Sequence, residues 1–464
     1  MEFRTYPRRW VILLVCCLLA LSNAFQWISY STVPQQINKF YCNGMIDCLA
    51  TFWSNQIFQV VAILTGIFGM YVCDVYGIKI ALFCGCAVNF LGSLLRLISS
   101  SPEIPNSFLR QFWLYSGCFL SSLAQVVFLV LPAKIAECWF ADNERALANV
   151  FTFIANPLGT ILASLTPMLF FDFSEEATDT FSTNSLEIFN FNMFISFWAG
   201  ITFFAWFCIK SSLPPSPPSM AAHIRVSSIS FKDSIIFCLK DSQFHVLMFL
   251  FAMLFTLYWT FIVLLPDIMS LKGYNSAGIN MAISATIGMI ASIFAGKLAD
   301  TTKMFKELTQ GMAILFFLTA LGTRLFLLKT RESMLDDIVL IVLTSLLGAL
   351  SIPMFPIGSE LGVEMTYPVY EATSSGLLVL NGQCLMLIFY GLTEVIKRID
   401  IFYHYESNRL SGNWQLVLDA WLLLAGVTAI ISWTVLKPKY RRMEAEKSNK
   451  QKFLLEEKEQ MGFI

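Results

Sequence analysis

The segment CDVYGIK at residues 73–79 interrupts a long apolar stretch of the chain, and GKLADTTK at residues 296–303 repeats its character about 220 residues later. In both copies an aspartate, Asp74 or Asp300, follows the second apolar run of a hydrophobic half, and a lysine leads toward the third run. An aspartate followed by a glycine is common in ordinary turns, so either copy alone carries little information. The pair at matching positions predicts that the chain consists of two related halves.

The composition places this chain in a membrane. Of its 464 residues 56% are hydrophobic and only 14% are charged, whereas soluble domains carry about 25% charged residues. The net charge of -1 gives no reason to expect nucleic acid as a partner. We therefore expect a polytopic membrane protein whose charges are gathered in loops and in the C-terminal tail.

Runs of about 20 apolar residues, each long enough for one helical crossing, divide the chain into spans. We expect an all-α membrane protein with six helices in residues 1–212 and six in residues 243–436, a linker at 213–242 and a tail at 437–464. The predicted spans are 10–32, 50–72, 79–99, 111–136, 145–170, 191–212, 243–265, 276–298, 308–328, 336–357, 371–396 and 415–436. The predicted end of the tenth span leaves residues 358–371 as a loop.

The linker and the basic residues give the orientation. Residues 229–240 of the linker mix apolar and charged side chains, which is typical of a short helix on the membrane face and equally of a solvated tether. Roughly two thirds of the 31 lysines and arginines fall on the side of the termini, so we expect both termini in the cytoplasm. Four basic residues directly after the last span could hold anionic lipid or serve only as a stop-transfer signal: Lys437, Lys439, Arg441 and Arg442.

Most of the 12 cysteines lie inside apolar runs, where cysteine is a small packing residue. Cys42 and Cys48 differ because both fall in the loop after the first span. The sequence is compatible there with a disulfide between them and equally with two free thiols.

The sequence offers no pattern for catalysis. It contains no metal-ligand spacing, no nucleophile elbow and no phosphate-binding loop, and its three histidines lie in loops or at span edges. We therefore expect no enzyme activity, no cofactor and no metal. The span interiors are also nearly free of charged residues, whereas proton-coupled carriers usually keep a titratable group at membrane depth. This absence favours facilitated transport, or coupling through something other than a buried carboxylate.

The span interiors instead hold uncharged polar and aromatic side chains. The candidate substrate-binding residues are Gln26 and Trp27 in the first span, Asn156 in the fifth, Tyr258 and Trp259 in the seventh, and Gln383 in the eleventh. In a carrier of two similar halves the first and seventh spans are symmetry mates, and the site lies between the halves. A desolvated tryptophan face binds a cation with about 2 kcal/mol. The alternative for each tryptophan is an anchor at the lipid interface.

Several short stretches resemble one group of carriers. They are RRWV at 8–11, NAFQW at 23–27, LPAK at 131–134 and EMTYP at 364–368. Together with the paired loops they resemble the major facilitator superfamily and, within it, the feline leukaemia virus subgroup C receptor-related transporters, solute carrier family 49, over about residues 6–442. NPLG at 156–159 is most similar to the third member of that family.

The resemblance implies a substrate and a site. It implies transport of choline-like or ethanolamine-like amines, with haem also linked to the family. The family's choline site is an aromatic cage with glutamines, whose members match Trp27, Trp259 and Gln383. A further glutamine of that site falls on Pro157, which argues against choline itself and leaves a cage for another organic cation or zwitterion.

The resemblance also implies a gate. By superfamily geometry Asp74 and Asp300 would each meet a helix N-terminus when the cytoplasmic side is shut, with Lys79 in the first loop and Arg145 as a charge partner of Asp300. We expect these four residues to control opening.

The sequence thus predicts a monomeric, facilitative plasma-membrane carrier that moves a small amine-bearing solute across the lipid bilayer by alternating access. Two alternatives stay open. One is transport of haem or another porphyrin, for which His223, His245 and His404 are poorly placed as axial ligands. The other is a membrane receptor that keeps the fold without transporting.

Overall fold

The structure is a computed structural model that describes residues 5–43, 49–140, 144–171, 181–216, 231–274, 277–328, 333–367, 369, 371–397 and 414–444. Within these residues twelve helices are long and apolar enough to cross a membrane. Spans 1 to 6 are Arg8–Ile28, Ala50–Cys73, Tyr76–Ser99, Ser107–Leu129, Phe151–Leu169 and Ser185–Cys208. Spans 7 to 12 are Ser242–Leu271, Ala277–Ala299, Phe305–Phe326, Met334–Thr366, Thr373–Lys397 and Trp414–Thr434. The predicted twelve-helix fold is confirmed.

The helices extend beyond several spans. In the first half they are Arg8–Ile28, Pro34–Cys42, Ala50–Ser99, Ser107–Trp139, Arg145–Leu165 and Phe181–Ala205, with 3-10 turns at Thr166–Leu169 and Trp206–Cys208. In the remainder they are Phe231–Lys240, Ser242–Leu271, Ala277–Thr302, Phe305–Phe326, Met334–Ser351, Met354–Thr366, Glu371–Lys397 and Trp414–Thr434. The linker helix predicted near 229–240 is present at Phe231–Lys240, with Ser234 and Cys238 buried against the second half.

The paired polar segments are largely helical, and each contains one sharp turn between helices. Spans 2 and 3 follow each other without a loop, and the chain turns at Gly77, whose φ of 82° lies in the left-handed region that favours glycine. In the second half the turn after span 8 falls on Lys303, a residue with φ 57° just before the helix of span 9 begins at Phe305. Each half therefore turns at a residue with positive φ, although only the first has glycine there.

Several predicted boundaries are wrong: span 6 begins at Ser185 rather than 191, span 7 ends at Leu271 rather than 265, and two further differences change the path of the chain. The helix of span 1 ends at Ile28 rather than near residue 32, and the chain turns there before a short helix, Pro34–Cys42. Span 10 consists of two helices that meet at Pro353, and the second, Met354–Thr366, occupies most of the predicted loop at 358–371. Its two carboxylates, Glu360 and Glu364, contact the C-terminal segment rather than solvent alone, which explains why polar residues continue the helix.

The two halves pack against each other along spans 2 and 11 and along spans 5 and 8. Glycines allow both contacts. A side chain at Gly66 in span 2 would overlap Leu380 of span 11, and one at Gly278 in span 8 would approach the Ser164 carbonyl oxygen of span 5. These close approaches define the interface that surrounds the candidate site.

Cys42 takes part in a disulfide. Cys48, which the sequence offers as one possible partner, lies outside the described residues.

Candidate solute-binding site

Two tryptophans from opposite halves contact each other at the centre of the protein. Trp27 ends span 1 and Trp259 lies in span 7, and their ring centroids are 5.3 Å apart with the planes inclined by 53°. Each side chain is only 7% exposed, so neither ring lies on the lipid-facing surface. Nε1 of Trp27 has no hydrogen-bond partner among the described residues. The structure thus brings together the two aromatic candidates of the symmetry-related helices.

Tyr258 supports this pair from the second half. Its ring meets the Trp259 ring edge-on with the centroids 5.3 Å apart. Its hydroxyl lies 3.0 Å from the Ser284 hydroxyl, which in turn donates to the Thr344 carbonyl oxygen at 2.7 Å. Because these bonds stay within the second half, Tyr258 orients its neighbour and has its polar group engaged by the protein.

Gln26 is also engaged by the protein. Its Nε2 donates to Oδ1 of Asn89 at 3.1 Å and to the Asn89 carbonyl oxygen at 3.2 Å, and its Oε1 accepts from the Ser121 hydroxyl at 2.6 Å. These bonds tie span 1 to spans 3 and 4 inside the first half. Gln26 therefore holds the helix that carries Trp27, and both ends of its amide are occupied.

A buried arginine completes this support. Arg96 in span 3 is 1% exposed and donates to the Gln26 carbonyl oxygen at 2.6 Å and to the Ser29 hydroxyl at 3.2 Å. Its guanidinium lies 4.3 Å from the centre of the Tyr30 ring. A cation at the C-terminus of a helix satisfies carbonyl groups that the helix leaves free. Arg96 therefore fixes the end of span 1 directly beside Trp27.

Gln383 lines a cavity between the two halves. The cavity is bounded by residues of spans 2, 4 and 11, which are Ala62, Gly66, Val126, Leu129, Gly376, Val379, Leu380 and Gln383. Gln383 is buried, and its Oε1 has no partner in the described part of the chain. The remaining candidate, Asn156 in span 5, is half-buried and accepts a bond from Thr160 through its backbone carbonyl.

Comparison with known proteins gives the family. The sequence profile of the Major Facilitator Superfamily matches residues 12–390. The chain belongs to this superfamily. It is 29% identical over 402 residues to solute carrier family 49 member A3 of Xenopus tropicalis, covering 86% of this chain and 80% of the relative. It is 28% identical over 388 residues to the choline/ethanolamine transporter FLVCR1 of Felis catus, covering 82% of this chain and 66% of the relative.

Solved structures agree on the fold. The proton:xylose symporter XylE bound to 6-bromo-6-deoxy-D-glucose superposes with a TM-score of 0.66 at 13% identity, covering 94% of this chain and 98% of that chain. The resemblance to solute carrier family 49 within the superfamily is confirmed by the relatives, and the resemblance to the symporter shows the major facilitator fold alone.

The structure describes one of the four gating candidates at side-chain level. The Lys79 backbone N–H donates to the Ser212 hydroxyl at 3.2 Å, and its Nζ donates to the Lys210 carbonyl oxygen at 3.2 Å. Its Nζ also lies 5.7 Å from the centre of the Trp206 ring. These partners lie in the last turn of span 6 and directly after it, so Lys79 ties the start of span 3 to the end of span 6 within the first half. The side chains of Asp74, Arg145 and Asp300 lie outside the described part of the structure.

Sequence reasoning missed two groups of residues. Arg96 falls near the end of the predicted third span, where a basic residue is ordinary, and only the fold shows its contact with span 1. Span 2 also carries a run of polar residues, Ser54, Asn55, Gln56 and Gln59, inside an otherwise apolar helix. Such a run was a usable signal, because amides in a membrane span require a partner or a ligand.

Proposed function

We propose that this chain transports a small amine-bearing organic solute, similar to choline or ethanolamine, by facilitated alternating access. The observation that carries the proposal is the contact between Trp27 and Trp259 across the two halves. The names of the relatives support the solute class, since several are choline/ethanolamine transporters.

The aromatic pair suits a cationic headgroup. An ammonium group held against desolvated indole faces is stabilised by about 2 kcal/mol through the ring quadrupole, without any carboxylate. Because one ring belongs to each half, movement of the halves changes the distance between the rings. Binding and release of the solute are thereby coupled to the opening of the protein.

The positions of the carboxylates along the spans support a facilitative mechanism. The described carboxylates within spans lie near span ends, as Asp267 does in span 7 and Glu364 does in span 10. Proton-driven carriers usually place such a group at membrane depth. We propose further that Asp74, Lys79, Arg145 and Asp300 belong to the cytoplasmic gate, and that both termini face the cytoplasm of a plasma-membrane protein.

Uptake of radiolabelled choline and ethanolamine into cells tests the proposal. Expression of the parent should raise uptake down the solute gradient, and collapse of the pH gradient should leave this uptake unchanged. At matched surface expression Trp27→Ala should lose most of the uptake, about tenfold or more, whereas Trp27→Phe keeps part of it because a ring face is retained.

Equal uptake by the parent and by Trp27→Ala at matched surface expression would contradict the aromatic site. Loss of solute accumulation on collapse of the pH gradient would contradict the facilitative mechanism and point to a carboxylate such as Glu364. The porphyrin alternative finds no support in the described histidine, since His245 is exposed at the start of span 7.

A further inference from the structure

Two glutamines of span 2 are buried without partners. Gln56 and Gln59 are each 1% exposed. The amide nitrogen and the amide oxygen of both side chains lack a hydrogen-bond partner among the residues that the structure describes. Four polar atoms within one helical turn are therefore enclosed by the protein without being satisfied by it.

This arrangement is energetically unfavourable unless something else completes the bonds. A buried donor or acceptor without a partner destabilises a protein, and buried polar groups in native structures are almost always bonded. The neighbouring amides show the ordinary outcome. Asn55 donates to the Ser31 hydroxyl at 2.8 Å, and Gln26 is bonded at both ends. Gln56 and Gln59 differ from them in having no such bond.

The position of these side chains relates them to the cavity between the halves. Gln59, Ala62 and Gly66 follow each other at intervals of three and four residues, so they lie on one face of the helix. Ala62 and Gly66 line the cavity together with Gln383 of span 11. Gln59 therefore lies one turn beyond Ala62 on the helix face that carries these lining residues, and Gln56 lies a further turn along the helix, about 60° around it from Gln59.

The depth of the glutamines matches that of the aromatic pair. At a rise of 1.5 Å per residue, Gln59 and Gln56 lie about 21 and 26 Å from the Cys73 end of span 2. Trp259 lies about 26 Å from the Ser242 end of span 7, which is on the same side of the protein. Measured from these span ends, the two amides and Trp259 lie at similar distances from the side of the termini.

We propose that Gln56 and Gln59 form a hydrogen-bonding subsite on the cavity wall that binds a hydroxyl or similar neutral polar group of the solute. The inference rests on the proposed function and adds a second recognition element to it. An amide offers donors and acceptors but no net charge, so it cannot replace the aromatic faces for a cation. The subsite instead selects solutes that carry a polar group beside the cationic one.

The test compares two probes that differ in one hydroxyl-bearing arm, choline and tetramethylammonium, in binding to the purified full-length protein by titration calorimetry. In Gln59→Leu and Gln56→Leu the affinity for choline should fall about threefold to tenfold, the range expected for one lost hydrogen bond. The affinity for tetramethylammonium should stay the same. Trp27→Ala should lower the affinity for both probes by the same factor.

Thermal unfolding without solute separates a binding role from a structural one. Because the glutamines make no bond in the protein, the two leucine variants should melt at the parent temperature or above it. Gln26→Leu is the matched control and should melt lower, since it removes bonds to Asn89 and Ser121. A lowered melting temperature in the leucine variants, or an equal loss of affinity for choline and for tetramethylammonium, would overturn the proposal.

Failure of the proposed function has a different signature. In that case the parent binds neither choline nor tetramethylammonium. The subsite is then tested by the solvent access of position 59 and by the thermal stability of the leucine variants. Rapid labelling of Gln59→Cys by a small water-soluble thiol reagent, with unchanged melting of the leucine variants, would retain a polar subsite for another solute. Absence of labelling would overturn it.

Discussion

Arg96 is a cation enclosed in the first half, and the partners that the structure describes for it are carbonyl, hydroxyl and aromatic groups. Burial of a charge is unfavourable unless hydrogen bonds offset the lost hydration. Here the end of span 1 supplies them, because its last carbonyl groups have no partner inside the helix. The charge thereby fixes the residue that precedes Trp27, and the geometry of the candidate site depends on it.

We expect Arg96→Ala to lower the free energy of unfolding by about 2 kcal/mol, since it removes charge-assisted bonds to the Gln26 carbonyl and the Ser29 hydroxyl. It should also weaken choline binding at temperatures where the protein stays folded. Arg110→Ala is the matched control, because Arg110 is likewise buried, bonded to a carbonyl and set over a ring. The control should reduce stability and leave the affinity unchanged. Equal affinity in both variants would show that Arg96 does not position the site.

At the scale of elements, the segment 437–444 connects the helices of the second half on the side of the termini. Arg441 forms an ion pair with Asp241 at 2.7 Å, and Arg442 lies 3.5 Å from Glu360. The Met443 backbone N–H donates to Glu364 at 3.2 Å. Arg441 also lies over the Phe237 ring of the linker helix. Two of the four basic residues considered as lipid contacts are thus occupied by acidic partners within the protein.

The thiol reactivity of Cys238 can be used to follow the contact between the segment 437–444 and the linker helix. It lies on the buried face of the linker helix, and burial raises the pKa of its thiol from 9.0 to about 11. At pH 7 the thiolate fraction is therefore smaller than for a free cysteine, and labelling by a maleimide should be slow and should accelerate as the pH rises toward 11.

We expect Arg441→Ala to increase the labelling rate of Cys238 about twofold to fivefold, the effect of losing a partly exposed ion pair that holds the linker helix in place. Lys439→Ala is the control, because Lys439 is exposed, and it should leave the rate unchanged. Equal rates in the parent and in Arg441→Ala would mean that the segment does not hold the linker helix.

At the scale of the whole molecule, three aromatic contacts between described residues join the halves, and one of them lies between Phe52 of span 2 and Tyr390 of span 11, with the centroids 5.0 Å apart. Besides Trp27 and Trp259, Phe153 of span 5 and Phe355 of span 10 lie with their centroids 5.5 Å apart. Phe153 lies about two turns into the helix that begins at Arg145, and Phe355 is the second residue of the helix that ends at Thr366; Arg145 and Thr366 are the helix ends on the side of the termini. Alternating access requires the halves to separate on this side. The contact between Phe153 and Phe355 therefore has to break when the cavity opens there.

Phe355→Ala should therefore favour the state open toward the termini. An aromatic pair contributes about 0.5–1.5 kcal/mol, which corresponds to a shift of about twofold to twelvefold in the equilibrium. A cysteine introduced at Leu129, which lines the cavity, should react faster with an impermeant thiol reagent from that side. Phe203→Ala is the control, because its stacked partner Phe90 belongs to the same half. Equal labelling rates of the introduced cysteine in Phe355→Ala and in Phe203→Ala would exclude a gating role for Phe355.

Hydropathy and the paired loops were enough to predict the twelve spans and the two halves, and they left the linker helix and the site role of the two tryptophans as one of two alternatives each. These features depend on local composition, because a crossing helix needs about 20 apolar residues wherever it packs. The turn at Lys303 was less predictable, since glycine is the residue that usually adopts that backbone conformation.

The role of each polar residue within a span was decided by the tertiary structure. Gln26 and Gln59 are the same residue type in similar apolar surroundings, yet Gln26 meets Asn89 and Ser121, which lie 63 and 95 residues away, and Gln59 meets no described partner. The hydrogen-bond partners of a buried amide come from helices distant in sequence, and no local pattern encodes their approach. Sequence therefore determined which polar groups enter the membrane, and packing determined which of them the protein satisfies and which are left for a solute.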